Sequence, residues 1–193
     1  MAHLIPGEKD SKQHIEWLVE QVKAGDQQAF ADIIRHFEKQ IYQYCYYLLK
    51  SREEAEDVLQ DIFIIAYDKI EQYEQKTSFS AWLNKIAYHH SLNVMKKRNR
   101  WNRLFSRYKQ EVVLRPAYAN HHEQMIDEML ECLTLEERHV LLLKAVEQYN
   151  FNEIADIMDS NPAAIRKRYE RIRKKLISAN KEAAVNGALV ESG

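Results

Sequence analysis

The chain has 193 residues, enough for one medium-sized domain or two small ones, and its formal net charge is only -1. With 4 Gly and 3 Pro it is poor in turn-forming residues, which argues against a turn-rich β fold and favours long helices. The N-terminus lacks the pattern of a signal peptide, and no apolar run approaches the roughly 20 residues of a membrane helix. We therefore expect a cytoplasmic protein that does not insert into a membrane.

The small net charge conceals four blocks of alternating sign. Residues 1–75 carry 8 basic and 15 acidic side chains, and residues 76–110 carry 9 basic and no acidic ones. Residues 111–165 carry 3 basic and 11 acidic side chains, and residues 166–193 carry 8 and 3. Chance explains one basic block about as well as function does. Two basic blocks, each after an acidic one, indicate two units that each present a positive face.

Helical periodicity begins near Ile15, after a polar segment, residues 1–14, that we expect to be flexible. Asp26 is the predicted N-cap of a long amphipathic helix. Ser51 and Glu54 predict a capping box at the start of the next helix. One face of that helix is apolar and the other is acidic and polar. The second face is a candidate docking surface for a partner, and it comprises Asp57, Gln60, Asp61 and Ile64.

A further helix, opened by Thr77 or Ser78, runs into the first basic block. In that block lysine and arginine alternate with aromatic residues such as Trp101 and Phe105. This mixture suits nucleic acid, because cations bind phosphates and rings stack on bases. The alternative is that the rings belong to the core and the cations lie around them. Weak periodicity then predicts a flexible linker over residues 110–122 and the end of a first domain at residue 109.

The second predicted domain covers residues 123–180, and residues 181–193 are predicted to form a flexible tail. Thr134 and Glu137 predict a capping box. After them come a short helix, a tight turn, and a basic helix that Asn161 caps and Pro162 begins. This order is that of a helix-turn-helix, whose second helix enters the major groove of DNA. The candidate contacts on that helix are Ala163, Arg166, Lys167, Glu170 and Arg171.

Other kinds of site have little support in the sequence. The adjacent histidine pairs at 89–90 and 121–122 point about 100° apart on a helix and do not chelate well. Cys45 and Cys132 have no CxxC partner and suit reduced thiols in a reducing compartment. There is no Gly-rich phosphate loop, nucleophile elbow or HExxH motif. We expect no metal, no cofactor and no enzymatic activity.

Four segments in this order resemble the extracytoplasmic-function (ECF, group 4) sigma factors of the sigma-70 family. They are AGDQQAFADIIRHFEKQIYQYCYYLL, REEAEDVLQDIFIIAYDKIEQY, TSFSAWLNKIAYHHSLNVMKKRNR and ECLTLEERHVLLLKAVEQYNFNEIADIMDSNPAAIRKRYERIRKKL. The resemblance covers about residues 15–180 and implies an all-α fold of two small helical domains, the second with the helix-turn-helix. It implies binding to core RNA polymerase, through the β′ clamp helices and the β subunit, and promoter-specific initiation. It also implies an anti-sigma factor as a partner.

The resemblance assigns roles to the two domains. Residues 15–109 are similar to sigma region 2, in which the acidic surface docks on polymerase and the next helix reads the proximal promoter element. The residues expected to contact DNA there are Trp82, Asn84, His89, Asn93, Lys96, Lys97 and Arg100. Residues 123–180 are similar to sigma region 4, which reads the distal element. Asn93 and Lys96 stand where the family usually has Asp and Arg, and Ala163-Ala164-Ile165 replace a frequent Gly-Thr-Val, so base preference is affected rather than role.

Two other classes of protein remain open at this stage. A dimeric helix-turn-helix regulator with an N-terminal sensing domain explains residues 125–180 equally well. It does not explain a basic block that follows an acidic helix in the first domain, and it would bind a palindrome unaided. A pure interaction module would use the basic blocks to bind acidic proteins. Promoter-specific transcription with core polymerase distinguishes the sigma factor from both.

Overall fold

The computed structural model describes residues 8–105 and 129–190, and the side chains of residues 12–101 and 129–179. Within these ranges the chain is helical and forms no strand. It divides into two compact units, residues 1–109 and 110–193, and this confirms the predicted all-α fold with two helical domains. The predicted linker at residues 110–122 lies outside the described part, so its flexibility stays a prediction.

In its described part the first unit consists of α1 (Glu8–Lys23), α2 (Gln27–Leu49), α3 (Arg52–Asp68) and α4 (Phe79–Phe105), with a short 3-10 helix at Ile70–Gln72. Helix α2 packs against α1, α3 and α4, and α3 packs against α4. The periodic apolar residues therefore meet around α2. Fully buried members of this core are Val19, Ile33, Ile41, Leu48, Ile62 and Leu83.

The helix starts of the first unit follow local side-chain chemistry. The carboxylate of Asp26 accepts the backbone N–H groups of Gln28 at 2.8 Å and Ala29 at 3.4 Å, as its predicted N-cap role requires. The capping box predicted at Ser51 is only half formed. Ser51 Oγ accepts the Glu54 N–H at 3.3 Å, but the Glu54 carboxylate accepts instead from Arg98 Nη1 at 2.6 Å. A long-range ion pair has replaced the local reciprocal bond.

The second unit contains, among the described residues, α5 (Leu135–Ala145), α6 (Phe151–Ile157) and α7 (Pro162–Val190). Helices α5 and α6 both pack on α7. The core between them includes Leu143, Ile154, Ile165 and Ile172, each fully buried. The short α6, the turn after it and the long α7 have the order predicted for a helix-turn-helix.

Three caps position the helices of the second unit. Thr134 and Glu137 form the predicted capping box in both directions, with bonds of 3.3 and 2.9 Å. The Asn161 side chain accepts the Ala164 N–H at 2.8 Å and so caps α7 as predicted. A second capping box, between Asn150 and Glu153 at the start of α6, was not predicted.

Both ends of the chain are more helical than predicted. Helix α1 begins at Glu8, within residues 1–14, which are expected to be flexible, and the first buried side chain among those described is Ile15. Helix α7 continues to Val190, past residue 180 where the sequence pattern placed its end. The residues of α1 before Ile15 are polar, so the apolar pattern gives no sign of the first turns of that helix.

Candidate partner and nucleic-acid interfaces

The four residues of the candidate docking surface lie on one face of α3, and their role in docking stays a prediction. Asp57, Gln60, Asp61 and Ile64 are all exposed, and Ile64 keeps 60% of its surface accessible. They share one face of α3 because steps of three and four residues return to the same side of a helix. The opposite face, which includes Ile62, is buried. An exposed isoleucine among carboxylates is suited to a partner that offers both cations and apolar side chains.

Asp61 also connects this surface to α4. Its Oδ2 lies 3.0 Å from Nε2 of His90, whose side chain is only 21% exposed. The carboxylate is therefore held by a ring on the neighbouring helix while 57% of the Asp61 side chain remains accessible. Helical periodicity cannot predict this pair, because the two residues are 29 positions apart.

An apolar groove of about 660 Å³ lies beside the docking surface, between α2 and α3. Phe30, Phe63 and Tyr67 form much of its wall, and Gln60 and Ile64 belong to it as well. Glu38 and Asp68 add carboxylates at the groove. The groove is not predictable from the sequence, because it arises where two helices lie side by side and neither helix pattern contains it alone.

The candidate DNA contacts of the first unit gather on one face of α4, with one exception. Their spacings of three, four and seven residues place them on the same side of the helix. Four are exposed and two are half-buried. The face comprises Trp82, His89, Asn93, Lys96, Lys97 and Arg100.

The exception is Asn84, and the prediction that it contacts DNA is wrong for this fold. Its side chain is 0% exposed, and its amide donates a hydrogen bond to the Ser80 carbonyl at 3.1 Å. The physical reason is its phase on the helix. Asn84 follows Trp82 by two residues, which turns the side chain by about 200° and points it into the core.

A second groove, of about 380 Å³, opens beside the α4 face. Trp82, His89 and Asn93 contribute to it from α4, and Lys69 and Gln72 contribute from the segment after α3. It combines an aromatic ring, amides and cations, which are the groups that stack on bases and bind phosphates. We call it the α4 groove.

Helix α7 sorts its charged side chains between two faces. Every predicted DNA contact is exposed: Ala163, Arg166, Lys167, Glu170 and Arg171. Two other cations of the helix form ion pairs within the unit. Arg168 Nη2 lies 2.9 Å from Glu136, and Lys175 Nζ lies 2.7 Å from Glu137. The positive charge of the second basic block is therefore partly structural and partly available to a ligand.

One predicted contact on α7 has an additional partner. The Arg166 guanidinium lies 5.9 Å from the ring centroid of Phe151, the first residue of α6. Lys144 Nζ lies 5.2 Å from the same ring, so a single phenyl group holds two cations at the start of the helix-turn-helix. This arrangement restricts Arg166 while leaving it exposed.

Glu137 and Cys45 are buried titratable groups with shifted pKa values. Burial alone would raise the pKa of Glu137, but hydrogen bonds and the charge of Lys175, together with Thr134, outweigh it and lower that pKa below its usual value. Burial raises the pKa of Cys45 to about 12, against a smaller opposing effect of a hydrogen bond with Ser91. Both groups belong to the cores of their units, not to the candidate interfaces.

The described residues show neither a metal cluster nor a membrane helix. No group of three or more His, Cys, Asp and Glu side chains in this part of the chain is arranged to hold a metal ion. None of the described helices combines the length and the apolarity needed to cross a membrane.

Comparison with known families matches both units. The model of Sigma-70 region 2 matches residues 33–101, and the model of Sigma-70, region 4 matches residues 123–176. The ECF RNA polymerase sigma factor SigW of Bacillus subtilis (strain 168) is 42% identical over 80 residues, which is 42% of this chain and 43% of that protein. The ECF RNA polymerase sigma-E factor of Haemophilus influenzae is 25% identical over 177 residues, covering 81% of this chain and 90% of its own length.

Two solved structures share the fold. CnrH, solved in complex with the cytosolic domain of CnrY, matches with a TM-score of 0.66 at 22% identity and covers 88% of this chain and 98% of its own. The sigma factor RpoE of Bartonella quintana, solved with the anti-sigma factor NepR, matches with a TM-score of 0.67 at 23% identity and covers 79% and 96%. The two family models match in the order of regions 2 and 4, and together they cover well over half of the chain. This agrees with the family of the relatives named above. The chain belongs to the sigma-70 family of RNA polymerase sigma factors, in its extracytoplasmic-function group.

Proposed function

We propose that this protein binds core RNA polymerase and directs it to specific promoters. The observation that carries the proposal is the pairing, within one unit, of an acidic face on α3 with a basic face on α4, in a chain that matches sigma-70 regions 2 and 4. Sigma factors are not enzymes, and the chemistry of RNA synthesis belongs to the polymerase. Because bacterial polymerase works in the cytoplasm, the proposed location is cytoplasmic.

The proposed polymerase-binding surface is the α3 face. Asp57 and Asp61 would supply negative charge toward cations of the β′ clamp helices, and the exposed Ile64 would supply apolar contact area on the same face. Exposed charges at the rim of an interface mainly increase the association rate and the specificity, whereas a buried apolar anchor slows dissociation. The apolar groove beside Ile64 would extend the same contact surface.

The proposed DNA-binding surfaces are the α4 face and the outward face of α7. Residues 15–109 would act at the proximal promoter element, where the rings and cations of α4 suit a separated strand. Residues 123–180 would place α7 in the major groove at the distal element, with Ala163 allowing close approach and Lys167 and Arg171 meeting phosphates.

An anti-sigma factor is the proposed regulator. Among proteins of the same fold, RpoE was solved with the anti-sigma factor NepR. CnrH was solved with the cytosolic domain of CnrY. A partner that covers the α3 face would prevent polymerase binding, and one that covers α7 would prevent DNA binding. Either mode requires no change within a unit.

The decisive experiment is run-off transcription by core polymerase on a library of genomic fragments, with and without this protein. The expected result is a set of new, defined start sites that depend on its presence. Failure to associate with core polymerase would contradict the proposal. Unaided binding of a dimer to a palindrome would favour the helix-turn-helix regulator instead.

Charge reversal separates the two kinds of surface. Asp57→Lys with Asp61→Lys is expected to weaken polymerase association and spare the distal DNA contact, and Lys167→Glu with Arg171→Glu is expected to do the reverse. Asp32→Lys is the matched control, since Asp32 is a partly exposed carboxylate of α2 that belongs neither to the docking surface nor to the groove beside it. If both double variants lose the same activity, the division of labour is wrong.

A further inference from the structure

Tyr73 lies between α1 and the start of α4, and α1 holds it at three points. Its side chain is 2% exposed. Its hydroxyl lies 2.9 Å from each carboxylate oxygen of Glu16. Lys23 Nζ donates to the Tyr73 carbonyl at 2.9 Å and lies 5.6 Å from the centroid of the same ring. Both the backbone and the side chain of Tyr73 are therefore fixed by one helix.

The same carboxylate reaches the first turn of α4. Glu16 Oε1 accepts the backbone N–H of Phe79 at 3.2 Å. The first N–H groups of a helix lack intrahelical partners and favour negative charge, so this bond fixes where α4 begins. The Tyr73 hydroxyl also lies 2.8 Å from the Thr77 carbonyl, which closes the connection between residues 73 and 79 around the same group.

The held tyrosine touches the α4 groove directly. Its ring lies 5.4 Å from that of Trp82, at an interplanar angle of 55°, and Trp82 forms part of the groove wall. Gln72, the residue before Tyr73, forms part of the wall as well. Movement of Tyr73 would therefore move two walls of the groove, one through the side chain and one through the backbone.

We infer that α1 sets the shape of the α4 groove, with Glu16 and Lys23 as positioning residues that act through Tyr73 on Trp82. The inference rests on the proposed function, since the groove matters only if the α4 face reads promoter DNA. Helix α1 itself precedes the segment matched by the region 2 model, which begins at residue 33. Promoter reading in this protein would thus depend on residues outside the matched segment.

The test compares promoters, not total activity. Holoenzyme is assembled with saturating full-length protein, and strand opening is followed by 2-aminopurine fluorescence on a cognate promoter and on variants with single base changes in the proximal element. Glu16→Ala removes the carboxylate that accepts from the Tyr73 hydroxyl and from the Phe79 N–H, and it is expected to reduce the preference for the cognate promoter about tenfold. Glu16→Gln, which keeps an acceptor oxygen, is expected to restore part of that preference.

Two further variants separate positioning from stability. Tyr73→Phe removes only the hydroxyl and is expected to shift the preference in the same direction as Glu16→Ala, which keeps the test available if the alanine variant does not fold. Gln13→Ala is the matched control on α1, because Gln13 is exposed on the same helix and makes no hydrogen bond to Tyr73 or Lys23 in the described structure. Its preference is expected to equal that of the unmodified protein.

The outcomes distinguish this inference from the function beneath it. A purely structural role would lower the active fraction equally on every promoter, so an unchanged preference in both Glu16→Ala and Tyr73→Phe would overturn the inference. If the unmodified protein opens no promoter with core polymerase, the proposed function fails first. Normal opening by the unmodified protein, with preference lost in the variants, supports both.

Discussion

Neutralising the two outward cations of α7 is expected to weaken binding to distal promoter DNA without loosening the second unit. The change is Lys167→Gln with Arg171→Gln. Both side chains are exposed and belong to no ion pair that the structure describes, whereas Arg168 and Lys175 on the same helix pair with Glu136 and Glu137. Surface substitutions of this kind change the free energy of unfolding by no more than about 0.5 kcal/mol.

The magnitude follows from the number of phosphates that the two cations can neutralise. Each phosphate contact contributes about 0.9 to the slope of log affinity against log salt, so losing two lowers the slope by about 1.8. Between about 50 and 200 mM salt, the unmodified protein is therefore expected to lose about 12-fold more affinity than the variant.

The assay is fluorescence anisotropy of a labelled duplex with the distal element, titrated with holoenzyme at several salt concentrations. Arg168→Gln with Lys175→Gln is the matched control. It removes the same charge from the same helix but breaks the internal ion pairs, so it is expected to destabilise the second unit by about 1–2 kcal/mol and to leave the slope unchanged. An unchanged slope in the outward variant, or an equal decrease in both, would refute the assignment of faces.

Three further predictions test the interiors of the two units. Asn84→Ala is expected to destabilise the first unit by about 1–3 kcal/mol, as measured by urea unfolding. Promoter competition is expected to show an unchanged base preference. An altered base preference with unaltered stability would show that Asn84 reads DNA. Glu137→Gln is expected to destabilise the second unit near pH 7, as measured by faster hydrogen exchange of α5. The difference in stability between the variant and the unmodified protein should shrink on acidification. The pKa of Glu137 in the folded protein lies below the usual value of 4.5. The ionised carboxylate therefore contributes its full stability above pH 4.5, and this contribution is lost as the pH falls through the folded pKa. A stability difference that grows in acid would contradict this prediction. At pH 8 iodoacetamide is expected to label the exposed Cys132 in the native protein and Cys45 only after denaturation. Cys45 is buried, and burial raises its pKa to about 12. Equal labelling rates of the two cysteines in the native protein would contradict the burial of Cys45.

Local features of the fold were predictable because local chemistry decides them. The caps at Asp26, Thr134 and Asn161 form because each side chain meets an N–H two or three residues ahead. The Ser51 capping box fails in part because Arg98, 44 residues away from Glu54, competes for its carboxylate. No reading of consecutive residues can anticipate that competition.

The candidate surfaces also differ in how far the sequence predicts them. The α3 and α7 faces follow from helical periodicity, which fixes which side chains share a side. The contact predicted for Asn84 follows from resemblance to the family alone, whereas its helical phase places it in the core, where it is buried. The two grooves and the contacts of Tyr73 with α1 arise only when separate helices meet, and residues 57 positions apart form the bond between Glu16 and Tyr73.

The dependence of Tyr73 on α1 bears on how chimeric sigma factors should be designed. A graft that exchanges only the matched segment, residues 33–101, would place a foreign Tyr73 equivalent against the host's Glu16 and Lys23. The exchanged module should therefore begin before Glu16, so that donor promoter preference and its supporting helix travel together. Shorter grafts would then bind polymerase normally and yet misread the donor's promoters.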